Sequence, residues 1–205
     1  MAAKKSKAKP TTPSKALPIK AVLAKARTAS PVTKKTPVKS APSPKPALKD
    51  AAASAGLGEG SKAPAFSLPD ETGAVVSSAS LSGKPYVLYF YPKDDTPGCT
   101  KEACDFRDNL KAFNSAKVRV LGVSPDDSKR HAKFKEKYGL NFTLLSDVDK
   151  TLIGAYGIWL KKLNYGREYM GVQRSTFIID KTGKIARAWN GVRVPGHVEA
   201  VLAAL

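Results

Sequence analysis

Two cysteines, Cys99 and Cys104, are the only thiols in this chain of 205 residues, and their setting points to redox chemistry on sulfur. Cys99 closes the stretch Pro92-Lys-Asp-Asp-Thr96-Pro-Gly-Cys99, which follows the apolar, aromatic run Tyr86-Val-Leu-Tyr-Phe-Tyr91. That run reads as a buried strand. Pro-Gly marks a turn, and the residues after Cys99 have good helix propensity. The sulfur is therefore expected in the first turn of a helix. Unpaired backbone N–H groups and the positive end of the helix dipole lie there. Both favour the thiolate, which is the reactive form.

A thiolate at this place also calls for a cation. Arg174 immediately precedes the apolar run Ser175-Thr-Phe-Ile-Ile179, so its side chain can reach a site at the edge of a sheet. Thr96 carries a hydroxyl that both donates and accepts hydrogen bonds and could hold a peroxide oxygen beside the sulfur. Pro92 has no N–H and can shield the thiolate from water. Other chemistries fit less well. The cysteine spacing is C-x₄-C rather than the C-x₂-C of a zinc site, and no metal or cofactor is expected. His131 reads as solvated among Lys129, Arg130 and Lys133, and His197 as a first-turn residue. Asp126-Asp127 reads as a helix N-terminal pair rather than a catalytic dyad.

The elements that position these residues occupy only part of the chain. Residues 1–57 hold thirteen Lys and Arg against the single acid Asp50, so they carry +12 of the net charge of +18. They also hold eight of the fifteen prolines and no aromatic residue. Such a segment buries too little apolar surface to offset the entropy of ordering, and a disordered basic tail is expected. Only 18–27 could form a short helix. Residues 58–205 suit one compact domain. No run approaches the roughly 18 apolar residues of a membrane span. The longest apolar run of the tail, Ala21-Val-Leu-Ala24, is too short for a secretory signal. Two cysteines make no disulfide framework, and a cycling thiol pair fits a reducing compartment.

Within the domain, Ala65–Leu68 and Ala74–Ser77 flank Pro69-Asp-Glu-Thr-Gly73 and read as a hairpin. A strand at 86–91 and a helix at about 98–113 follow. Then come a strand at 118–123, a helix at roughly 127–138, a strand at 141–145 and a short helix at 149–155. Residues 156–171 are rich in glycine and aromatic residues and carry no clear period. Strands at 175–179 and 185–189 flank Asp180-Lys-Thr-Gly183, and a terminal helix starts at Pro195. Strands that alternate with helices imply right-handed parallel crossovers, and the last hairpin adds antiparallel strands. The expected fold is α/β, a mixed central sheet flanked by helices as in the thioredoxin fold.

With these residues in place, the chain resembles a known family. Pro92-x-x-x-Thr96-x-x-Cys99 is similar to the peroxiredoxin active-site signature. With Cys104 and Arg174-Ser-Thr-Phe177, residues 58–205 resemble a Q-type peroxiredoxin of the bacterioferritin comigratory protein group. The resemblance implies a thioredoxin-like fold and reduction of hydrogen peroxide or organic hydroperoxides. It implies that Cys99 is the peroxidatic and Cys104 the resolving cysteine, and that Thr96 and Arg174 position peroxide and stabilise the thiolate. It implies thioredoxin as reductant. Residues five apart on a regular helix are displaced by about 7.5 Å along its axis and about 140° around it. A disulfide tolerates Cα separations up to roughly 7 Å, so the first turns must unwind before a Cys99–Cys104 bond closes.

The tail lies outside this resemblance. Lysine-rich segments bind phosphate backbones by counterion release. Alternatives are therefore the same peroxidase docked to nucleic acid through residues 1–57, or a nucleic-acid-binding protein with an inactive domain. The intact Cys99, Thr96 and Arg174 argue against the latter. A monomer in the bacterial cytoplasm is expected, with a nuclear or organellar setting if the source is eukaryotic.

Overall fold

The computed structural model describes residues 57–164 and 166–205. Residues 1–56 of the expected tail, with its short helix, lie outside the described residues, while Leu57 belongs with the domain, packing on its core and donating its N–H to the Tyr156 carbonyl at 3.3 Å. The first described elements are the strands β1 (Ser67–Pro69) and β2 (Val75–Ser77), paired antiparallel. Asp70 makes the turn between them. Its Oδ1 accepts from the backbone N–H of Thr72 at 2.8 Å and of Ala74 at 3.0 Å.

Among the described residues the main sheet has five strands. Its centre is β3 (Tyr86–Phe90), every residue of which is buried. β4 (Arg119–Ser124) pairs parallel with β3, and β5 (Thr143–Ser146) pairs parallel with β4. On the other side of β3 lie β8 (Ser175–Ile179) and then β9 (Ile185–Asn190), both antiparallel to their inner neighbours. The order is β5-β4-β3-β8-β9, the mixed sheet of the thioredoxin-like fold. The parallel pairs are joined by α1 (Pro97–Ser115) and α2 (Ser128–Tyr138), and α3 (Thr151–Ala155) follows β5. The last helix is α4 (His197–Ala203). It begins two residues later than Pro195 because Gly196, at φ +75°, adopts a left-handed conformation outside the helix.

Strand alternation divides the core. Tyr86, Leu88 and Phe90 point to one face and pack with Leu152 and Ile153 of α3. Val87, Tyr89 and Tyr91 point to the other and pack with Cys99, Ala103 and Phe106 of α1 and with Val198 and Val201 of α4. Burying a phenylalanine contributes about 1.5–3 kcal/mol, so the ring of Phe106, fully buried and stacked on Tyr89 at 4.6 Å, ties α1 firmly to β3. Gly122 makes room for that pair. A Cβ there would lie 2.7 Å from the Tyr89 hydroxyl and 2.8 Å from Leu144, so β4 needs a glycine opposite Tyr89.

The segment without a clear period, 156–171, forms most of a separate hairpin, β6 (Trp159–Asn164) with β7 (Arg167–Val172). Its base is anchored in the core through Ile158 and Val172, with Trp159 packed against that core. Leu163, Tyr169 and Met170 are exposed, so the strands show no alternation of apolar and polar faces.

His131 differs from the sequence reading. It is not solvated but fully buried. The helical spacing of His131, Phe134 and Tyr138 turns one side of α2 toward the core, while Lys129, Arg130 and Lys133 lie around the rest of the helix. Asp127 does cap α2, its carboxylate accepting from the Arg130 N–H at 2.8 Å. His197 is the first residue of α4, as expected.

Candidate active site

β3 ends at Phe90, Tyr91 continues its line, and Pro92 turns the chain away from the sheet. The loop reaches Thr96, an extended residue at the N-cap of α1, and Pro97 opens the helix. A proline is favoured there because its missing N–H would be unpaired anyway. Cys99 thus stands in the first helical turn, on the buried stripe of α1 with Glu102, Ala103 and Phe106. Its residue surface is only 1 % exposed.

Arg174 comes from the opposite end of the chain. Ser175 is paired with Phe90, so the residue just before β8 falls at the end of β3 where the active loop begins. Arg174 Nη2 donates to Cys99 Sγ at 3.1 Å, and its Nη1 donates to Glu102 Oε2. The guanidinium bridges sulfur and carboxylate. Burial works against its charge, but Glu102 and Cys99 together hold its pKa above the usual value.

Glu102 was not singled out from the sequence. Its position three residues after Cys99 on the apolar stripe of α1 was the available signal. Burial pushes its carboxyl up to about 7, against the pull of Arg174. Its second oxygen, Oε1, is buried and has no hydrogen-bond partner among the described residues. Lys162 on β6 is a further basic group of the site. Its ammonium donates to the Val172 carbonyl at 2.6 Å. Burial lowers its pKa, the charge of Arg174 adds to that, and the Cys99 sulfur opposes it.

The Thr96 hydroxyl donates to the Lys93 carbonyl at 3.1 Å rather than bonding the sulfur. Its lone pairs remain to accept. Pro92 is half-buried at the mouth of the loop. Cys104 is half-buried further along the same continuous helix, and both cysteines are free thiols. The arrangement brings Cys99 and Arg174 into contact and places Thr96 at the helix start. Cys104 stays apart from Cys99 by more than a helical turn. Among the described residues no cluster of three or more His, Cys, Asp or Glu side chains could hold a metal ion. No helix among them is long and apolar enough to cross a membrane.

A half-exposed loop, a thiol in a first helical turn and a guanidinium on its sulfur, set on a thioredoxin-like sheet, define a thiol-based oxidoreductase. The model of the AhpC/TSA family matches residues 60–188, and the chain belongs to that family. Within it the kinship is with the Bcp, or PrxQ, type of peroxiredoxin. The peroxiredoxin Bcp of Bacillus subtilis is 49 % identical over 146 residues, which cover 71 % of this chain and 93 % of that one. The peroxiredoxin Bcp of Escherichia coli K12 is 42 % identical over 146 residues, 71 % of this chain and 94 % of that one. The bacterioferritin comigratory protein of Xanthomonas campestris, described for its alkyl peroxide reduction activity, superposes with a TM-score of 0.65 at 41 % identity. That match covers 68 % of this chain and 88 % of the other. The chain is a peroxidase that works through cysteine chemistry.

Proposed function

We propose that Cys99 is the peroxidatic cysteine and Cys104 the resolving cysteine of a thioredoxin-recycled peroxidase acting on hydrogen peroxide and organic hydroperoxides. The hydrogen bond from Arg174 to the Cys99 sulfur is the observation that carries this reading. A cation that donates to sulfur favours the thiolate and can also donate to a peroxide oxygen beside it.

The Cys99 thiolate attacks the terminal oxygen of the hydroperoxide. The S–O bond forms as the O–O bond breaks, and the leaving alkoxide or hydroxide takes a proton from solvent. Arg174 stabilises the charge as it moves from sulfur to oxygen. Thr96 accepts a hydrogen bond from the peroxide hydroxyl, its own proton being given to Lys93. Glu102 holds the guanidinium in place. Pro92 limits water at the sulfur. Cys99 is left as a sulfenic acid.

The Cys104 thiol then attacks that sulfur, water leaves, and a disulfide forms. Since both residues lie in α1, the first turns of the helix unwind for this step. A thioredoxin dithiol takes up the disulfide and returns both cysteines to thiols. Residues 58–205 carry the catalysis, and 1–57 are an appended basic segment able to hold polyanions. The bacterial relatives support a bacterial cytoplasmic setting. The test is peroxide consumption coupled to thioredoxin, thioredoxin reductase and NADPH. Turnover with the full chain is expected, and its absence at any thioredoxin concentration would reject thioredoxin as the reductant.

A further inference from the structure

The loop that delivers Cys99 is fastened to α2 by a buried polar network that the peroxide chemistry does not use. Asp94, in the middle of the loop, and His131 on α2 are both almost wholly buried. His131 Nδ1 lies 2.7 Å from Asp94 Oδ2, and its Nε2 lies 3.2 Å from the Leu145 carbonyl of β5. A carbonyl oxygen only accepts, so Nε2 carries a proton and the Nδ1–Oδ2 contact holds another. Tyr91 donates its hydroxyl to the other Asp94 oxygen at 2.7 Å. The backbone N–H of Asp94 donates to Asp126 Oδ2 at 2.6 Å.

Asp95 adds an outer tie. It is held in the left-handed region at φ +58°, unusual for a residue with a side chain. Its carboxylate binds Lys137 of α2 at 2.8 Å and accepts from the Tyr138 hydroxyl. Two successive loop residues, one buried and one exposed, are thus gripped by the same helix just before α1 begins.

We propose that the Asp94–His131 pair, supported by Tyr91, is a clamp that positions the Cys99 loop and sets how readily it opens. This rests on the reading of Cys99 as peroxidatic and Cys104 as resolving. Closed, the clamp keeps the start of α1 wound and Cys99 beside Arg174, the geometry of the peroxide step. The disulfide step needs the opposite, an unwound first turn. The same network therefore acts in opposite directions on the two steps. It speeds oxidation and holds back closure, and so lengthens the life of the sulfenic acid. A longer-lived sulfenic acid meets a second peroxide more often and is lost to sulfinic acid.

His131 and Asp94 are positioning residues, and the partition between disulfide and sulfinic acid tests them. A residue that serves only stability would not shift it. The full chain is compared with Asp94→Asn, His131→Gln and Tyr91→Phe. The control is Ile153→Val, a core change on the opposite face of the sheet. Folding is checked by circular dichroism, and tert-butyl hydroperoxide is the oxidant. Rapid acid quench, alkylation and intact mass give the oxidation and closure rates. Sulfinic acid per turnover is read in the thioredoxin-coupled reaction. Asp94→Asn and His131→Gln are expected to slow oxidation by about tenfold, as misplaced reacting groups do. They should close the disulfide several-fold faster and form less sulfinic acid per turnover, whereas Ile153→Val keeps the wild-type partition. Tyr91→Phe, which deletes one hydroxyl, should shift it the same way by less, and it decides the matter if the other two do not fold. Wild-type rates and partition in the folded clamp variants would overturn the proposal. Failure of wild type to form the Cys99–Cys104 disulfide would instead refute the resolving assignment and leave the clamp to be judged on the oxidation rate.

Discussion

Arg174 and Cys99 stand 75 residues apart in the chain, and a guanidinium nitrogen of one lies 3.1 Å from the sulfur of the other. The register of β8 on β3 makes the contact, since Ser175 pairs with Phe90 and brings Arg174 to the start of the active loop. Hydrogen bonds to charged groups contribute about 1.5–3 kcal/mol, so Arg174→Ala should slow single-turnover oxidation about ten- to a hundredfold. Arg174→Lys should recover only part of this, because a single ammonium does not fork between Cys99 and Glu102. Stopped-flow oxidation at fixed pH measures both. Wild-type rates in the alanine variant would reduce Arg174 to a structural partner of Glu102.

Glu102 gives the enzyme a pH dependence of stability. Its carboxyl titrates near 7 when folded, above its usual 4.5, chiefly through burial. Between these values the folded chain keeps a proton that the unfolded chain has released. The stability linked to that proton is complete below pH 4.5 and is lost as pH rises to 7. Glu102→Gln should remove this decline. Urea unfolding from pH 4.5 to 8 checks it, and an identical slope in the variant would place the titration on another group.

His197 acts on the acid side. Burial, reinforced by the Arg174 charge, lowers its pKa from 6.5 to about 4, and its Nε2 shares a 2.8 Å hydrogen bond with the Thr176 hydroxyl. Its neutral form is the one that fits. The stability this contributes is present above pH 6.5 and is lost as pH falls through 4. His197→Gln keeps a hydrogen-bonding group without the charge, so its acid unfolding should be shallower over that range. An unfolding profile parallel to wild type would exclude His197 as an acid trigger.

Contiguity decided what could be read without a structure. β3, Pro97 and Cys99 lie in one short stretch, so local rules suffice to place the thiol in a first helical turn, although Pro97-Gly98 opens the helix itself instead of making a turn before it. Arg174 was legible because it abuts an apolar strand that had to enter the sheet centre. Glu102 and His131 escaped for a shared reason. Each carries a charged or polar side chain on the buried stripe of its helix, Cys99-Glu102-Ala103-Phe106 on α1 and His131-Phe134-Tyr138 on α2. Residue type argued for solvent while spacing argued for the core, and only the partners Arg174 and Asp94 reconcile the two. The β6–β7 hairpin was hidden because its strands bury little and so lack alternation.

Residues 1–57 give a prediction of their own. Their charge of +12 without an aromatic residue should bind polyanions through phosphate neutralisation alone. Retention on DNA should fall steeply with salt, ignore base sequence and vanish when 1–57 are deleted, while the peroxidase rate of 58–205 stays near that of the full chain. Equal retention of both forms would reject the docking role. A large loss of activity would mean that the catalytic domain begins before residue 58.

The most direct test of Cys99 as nucleophile and Cys104 as its partner is intact-mass analysis after one equivalent of hydroperoxide, in the full chain and in Cys99→Ser and Cys104→Ser. Wild type should lose two hydrogens, the signature of a disulfide. Cys104→Ser should gain a single oxygen that a dimedone reagent captures, and Cys99→Ser should remain unchanged. Oxygen uptake by the Cys99→Ser chain at the wild-type rate, or a Cys104→Ser chain that accumulates no sulfenic acid, would contradict the account.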